Sequence, residues 1–141
     1  MCSNWQAGCQ LCVVILEADA ILGILTLVES NKVELVSSEV LLAEINRQPN
    51  TTRQEYGLEV LSKSTQFVIF NEQVEKRSRE LEALGIKPLD ALHLASAEEA
   101  QADYFCTCDD RLLKRARTIS NLKFTTVHFL ELRGCHTCGM L

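Results

Sequence analysis

Pro88-Leu89-Asp90-Ala91-Leu92-His93-Leu94-Ala95-Ser96-Ala97-Glu98-Glu99-Ala100, followed by Tyr104-Phe105-Cys106-Thr107-Cys108-Asp109-Asp110-Arg111-Leu112-Leu113, is the stretch on which the fold turns. Proline suits the first turn of a helix, where its missing N–H costs no hydrogen bond, so a helix is expected from Pro88 to about Ala100. Of the eight residues after Asp90 only Glu98 is charged. A helix apolar on nearly every side belongs in the interior. Tyr104–Cys108 is a short apolar run that reads as a buried strand, and Asp109 and Asp110 open a further helix to about Arg117.

The same alternation extends in both directions. Upstream, Glu17–Ser30 carries Ala18, Ile21, Leu22, Leu25 and Val28 at helical spacing. Glu34–Ser37 reads as a strand, with Ser37 or Ser38 capping a helix over Glu39–Asn46. After the break at Gln48-Pro49-Asn50, Thr51 and Gln54 look like a capping box opening a helix to about Ser64. Phe67–Phe70 reads as a strand, and Asn71 caps a helix from Glu72 to Leu84 that Gly85 ends. Downstream, Phe124–Phe129 is the last strand. Strands and helices that alternate with short connections predict an α/β three-layer sandwich, a mostly parallel sheet flanked by helices. Ligands in such folds sit at the carboxyl ends of the strands.

The chain has 141 residues, 47% hydrophobic and 23% charged, with two prolines and six glycines. That is the composition of one compact domain and excludes a disordered or collagen-like chain. The apolar stretch Leu11–Val28 is interrupted by Glu17, Asp19 and Thr26, too early for a membrane span. No Lys or Arg lies in the first ten residues, so a basic export signal is not expected, and the cytoplasm is the expected compartment. A formal net charge of −5 argues against a surface that grips nucleic acid everywhere, while leaving room for a local basic stripe over an acidic site. The seven cysteines suggest reduced thiols. Cys9-x-x-Cys12 and Cys135-x-x-Cys138 have zinc-ligand spacing, but they stand at opposite ends of the chain, so a zinc clasp needs the two ends to meet. Cys106 and Cys108 read as small buried hydrophobes.

Three carboxylates occupy informative positions. Glu44 lies on a helix with Leu41, Leu42 and Ile45 around it. Asp90 sits in the first turn of a buried helix, and Asp109 follows a strand at its carboxyl end. Brought together, such acids repel one another and resist ionisation unless a cation neutralises them. A hard ion such as Mg²⁺ or Mn²⁺ resolves that repulsion and activates water for attack on a phosphodiester. The alternative is two helix caps and a surface acid.

The segments Lys87–Ala97 and Ala102–Leu113 resemble the two C-terminal motifs of PIN-domain ribonucleases, a family that includes the toxins of VapBC-type toxin–antitoxin pairs. Ser37-Ser38-Glu39-Val40-Leu41-Leu42-Ala43-Glu44-Ile45 resembles the family's second motif. The resemblance spans residues 17–130, leaving 1–16 as an atypical segment and 131–141 as a Cys-containing tail. It implies a five-stranded parallel sheet and a Mg²⁺ or Mn²⁺ site in which Glu44, Asp90 and Asp109 are the acids, with Asp110 as auxiliary. It further implies cleavage of single-stranded or structured RNA, a homodimer, and an antitoxin partner.

The beginning of the chain departs from that pattern. The family opens with a central strand ending in an aspartate, whereas residues 1–16 contain no acid. In one reading the native first strand is missing and this segment is foreign, as a displaced start or a frame change would produce. In the other, Val13–Leu16 is the strand, with Glu17 or Asp19 as a substitute acid. Helical periodicity beginning at Glu17 favours the first, and loss of one acid predicts impaired or absent nuclease activity. A non-catalytic RNA- or protein-binding module that keeps the fold is the alternative.

Arg111, Lys114 and Arg115 lie on one helical face past Asp109 and could touch RNA phosphates or form a solvated basic face. His93, one turn after Asp90, reads as a packed helix residue. The Thr107 hydroxyl either positions a cation's water or caps the turn.

Overall fold

The computed structural model describes residues 11–15 (as backbone), 26, 28–29, 33–128 and 131. Five strands form one sheet: β1 (Leu11–Ile15), β2 (Val33–Ser38), β3 (Gln66–Val68), β4 (Tyr104–Thr107) and β5 (Thr125–His128). Their spatial order is β3-β2-β1-β4-β5, and every pairing is parallel. Among the described residues, the helices that connect them are α1 (Glu39–Asn46), α2 (Thr51–Leu61), α3 (Glu72–Ala83), α4 (Pro88–Glu99) and α5 (Asp110–Arg117).

Alternation along the strands builds two cores, one on each face of the sheet. On one side Leu35 of β2 and Tyr104 and Cys106 of β4 meet Leu41, Ile45 and Val60 from α1 and α2. On the other, Val36 and Phe105 meet Val74, Leu81, Leu94 and Leu112 from α3, α4 and α5. All four residues of β4 are buried, as expected for a parallel strand covered on both faces. The expected three-layer α/β sandwich is therefore what forms.

The first-strand position, which the sequence left in doubt, is filled. Leu11–Ile15 occupies the centre of the sheet, paired with β2 on one side and β4 on the other. A run of apolar and β-branched residues suffices for a central parallel strand, whatever precedes it. The strand ends at Ile15, so it does not compete with the helical periodicity that begins at Glu17. Glu17, Asp19 and most of the expected Glu17–Ser30 helix lie outside the described residues, as do the side chains of Cys9, Cys12, Cys135 and Cys138 and the zinc clasp they would make.

Local signals acted largely as read, with two exceptions. Ser38 caps α1 by accepting from the Leu41 N–H at 3.0 Å, and Asn71 caps α3 by accepting from the Val74 N–H at 2.9 Å. The cap of α2, however, is Asn50 rather than Thr51: its Oδ1 accepts from the Arg53 N–H at 2.9 Å, and Gln54 instead donates to the Asn46 carbonyl. β3 stops at Val68, short of the expected Phe70, because its partner β2 stops at Ser38, opposite Val68, and turns into α1. The Phe70 N–H leaves the sheet to donate to Glu39 Oε1 at 2.7 Å, and Ile69 is 63% exposed. Gly85 turns the chain out of α3 with φ +101°, a conformation that favours glycine.

Candidate functional site

The chain runs outward from β1 to β3 on one side of the sheet, then crosses to β4 and β5 on the other. Their order reverses between β1 and β4, and such a reversal opens a crevice beyond the carboxyl ends of the strands. Asp109 stands there, directly after β4. Its Oδ1 accepts from the N–H groups of Arg111 (2.9 Å) and Leu112 (3.2 Å), capping α5, while its own N–H donates to Thr107 Oγ1 at 2.9 Å. Thr107 thus shapes the turn that presents Asp109.

Asp90 reaches the same place from the first turn of α4. Asp90 and Asp109, together with Lys87, Arg111, Arg115 and the Gly85 turn, line one cleft of about 220 Å³. Burial pushes the Asp90 carboxyl above its usual range; His93 draws it back, Asp109 raises it, Lys87 lowers it and Glu44 raises it. Asp109 and Glu44 therefore each lie close enough for their charge to act on Asp90.

Glu44 is not among the residues that line that cleft, although its charge acts on Asp90. Its side chain is 36% exposed, and its Oε1 lies 3.1 Å from Nε2 of His93. His93 is completely buried on α4, as expected of a packed residue, but its polar contact with Glu44 was not foreseen. Asp110 is exposed at the start of α5, 4.0 Å from His128. Of the three basic candidates, Arg111 and Arg115 join the cleft, whereas Lys114 does not line it. Arg117 is occupied by Glu131 at 2.7 Å. Lys87, adjacent to Pro88 and three residues before Asp90, was missed by the sequence reading. A cation next to the start of an acid-bearing helix was the available signal.

This donor set is one of oxygens, the chemistry of a hard divalent ion. Asp90 and Asp109 supply the carboxylate oxygens that line the cleft, and Glu44 is not part of that lining. Among the described residues, no three His, Cys, Asp or Glu side chains are gathered tightly enough to hold a metal by themselves.

The model of the PIN domain family matches residues 15–118. The chain belongs to the PIN domain family. The match takes in β1's last residue, Glu44, Asp90 and Asp109, and all of α5, and so covers each of the sequence-selected acids. No curated protein matches the sequence. Among solved structures, the PIN chain is similar to one in the crystal structure of VapBC2 from Rickettsia felis bound to a DNA fragment from their promoter. The TM-score is 0.52 at 14% identity, covering 82% of this chain and 98% of that one. The likeness is one of fold. Among the described residues of this PIN chain, no helix is long and apolar enough to cross a membrane.

Proposed function

We propose that this PIN domain is a Mg²⁺- or Mn²⁺-dependent endoribonuclease of the toxin type, working at reduced rate because no acid stands in residues 1–16. The supporting observation is the shared cleft of Asp90 and Asp109, set beside Glu44 and rimmed by three cations. Asp90 and Asp109 would hold the ion, with Glu44 completing the set and Asp110 as an auxiliary acid. Bound there, a divalent ion would supply charge neutralisation and lower the pKa of a water, making hydroxide available for attack on a phosphodiester.

The remaining work falls to the chain's own groups. Lys87, Arg111 and Arg115 place positive charge around the carboxylates, where they can bind and orient the phosphates flanking the scissile bond. Lys114, further along the exposed face of α5, would extend that contact along the backbone. The substrate is then single-stranded or structured RNA, held through its phosphates despite the chain's net negative charge. The resemblance to toxin-type family members adds an antitoxin protein as partner and a homodimer as the working form.

A second reading, a non-catalytic RNA- or protein-binding module, draws on the engagement of two of the acids elsewhere. Asp109 Oδ1 already accepts two backbone N–H groups, and Glu44 is bonded to His93. Each of those uses engages one oxygen of its carboxylate in a structural role that needs no ion.

Incubation of labelled single-stranded RNA with purified protein, with and without Mn²⁺, tests the proposal. The expected result is slow cleavage that needs the ion and disappears in Asp90→Asn. Cleavage that persists in EDTA overturns the metal-dependent mechanism. Salt-sensitive RNA binding without cleavage decides for the second reading.

A further inference from the structure

We propose that His93 is a positioning residue, whose Nε2–H holds the Glu44 carboxylate within electrostatic reach of Asp90 and so links α1 to α4. The inference rests on the proposed cation site but is argued from different observations. His93 is fully buried, whereas Glu44 is 36% exposed. An imidazole carries one polar handle too many for an apolar helix face. Burying it costs free energy unless its nitrogens are bonded.

The chemistry of the pair fixes the direction of the bond. A carboxylate only accepts, so at 3.1 Å the proton must sit on Nε2 of His93. The other ring nitrogen, Nδ1, is buried and has no hydrogen-bond partner among the described residues. A proton on Nδ1 would be a buried donor with no acceptor there. The Nε2–H tautomer meets the one bond available and leaves only an unused lone pair.

The placement on α4 gives this bond its consequence. His93 lies three residues after Asp90, on the same side of the helix one turn on. Fixing Glu44 to His93 therefore fixes it relative to Asp90, although the two acids stand on different helices. Free to rotate, a half-exposed glutamate would lose side-chain entropy on capturing an ion. Held by a buried imidazole, it has lost that freedom already. An apolar residue would fill the same space on α4 without providing this hold.

Leu and Gln at position 93 separate hold from fill, because Leu fills the site and Gln fills it while keeping an N–H donor. Isothermal titration of full-length protein with Mn²⁺ should show His93→Leu binding about 10- to 100-fold more weakly, the range for loss of a ligand-orienting partner. His93→Gln should recover most of that affinity. On a Glu44→Gln background, His93→Leu should produce no further loss. Equal affinities for Leu and Gln, or an undiminished effect of Leu without the Glu44 carboxylate, overturn the inference.

Ring ¹⁵N shifts of His93 in the metal-free protein read the bond directly. An Nε2–H pattern that changes in Glu44→Gln supports it, and an Nδ1–H pattern overturns it. That spectrum with no uptake of Mn²⁺ by wild-type protein would retain the His93–Glu44 bond and reject the cation site.

Discussion

Replacing Asp109 by Ala and by Asn separates two roles that one carboxylate combines. In the first role Asp109 caps α5, accepting from the Arg111 and Leu112 N–H groups. Arg111 is exposed, so water can replace its bond, but Leu112 is 4% exposed and its N–H is not freely re-solvated. Alanine should therefore cost about 1 kcal/mol, towards ~2 if the Leu112 donor stays dry. For a domain of this size that is a fall in melting temperature of about 4 °C. Asparagine offers the same acceptor and should stay within about 0.5 kcal/mol of wild type. In the second role only the charge matters, so both variants should lose Mn²⁺ affinity alike. Urea unfolding followed by circular dichroism, paired with Mn²⁺ calorimetry, reads the two roles independently. Should Asn destabilise as much as Ala, the cap geometry is not what holds α5. Should Asn bind Mn²⁺ as tightly as wild type, Asp109 is not a ligand.

Asp90→Asn should stabilise the protein at pH 7 while abolishing ion binding. The folded-state pKa is raised above 3.8, so the native state holds this proton to higher pH than the unfolded chain. The group's contribution is then most favourable below that value and is lost as pH rises through the raised pKa. The gain from Asn should accordingly shrink toward zero as unfolding is measured at progressively lower pH. Arg77→Ala should cost about 2–3 kcal/mol in urea unfolding, because it removes the countercharge 2.7 Å from Glu98, whose side chain is only 7% exposed and keeps just the Lys123 N–H at 3.2 Å as a donor among the described residues. Arg77→Lys should recover only part of this, since one ammonium cannot reproduce the guanidinium's paired bonds to Glu98. Cys106, whose thiol is pushed up to about 12 by burial with Cys108 adding to it, should resist iodoacetamide at pH 8 and be alkylated only on unfolding, as peptide mapping by mass spectrometry would show.

Much of the fold was legible because local and tertiary demands agree. Ser38, Asn71, Pro88 and Asp109 each begin a helix with chemistry that needs only the next few residues, and Gly85 ends one by the same logic. The apolar run of β4 and the nearly uncharged α4 announced burial before any partner was known. Where neighbours in space decided the outcome, the reading failed. Asn50 displaced Thr51 as cap because the turn after Asn46 set which residue adopts extended backbone. β3 ended early because its partner β2 stops at Ser38, opposite Val68, and turns into α1, leaving no strand to pair with Ile69 and Phe70.

The order of elements and the buried character of α4 were written in the sequence by itself, through periodicity, capping and motif likeness. Only the tertiary structure decided that Leu11–Ile15 serves as the central strand, that Lys87 joins Arg111 and Arg115 around Asp90 and Asp109, and that Glu44 is tied to His93. Such facts depend on which segments meet across the sheet. Residues 44 and 93 are 49 apart in the chain, and no local preference of either encodes the other. Their meeting is a property of packing, which is why it had to be seen.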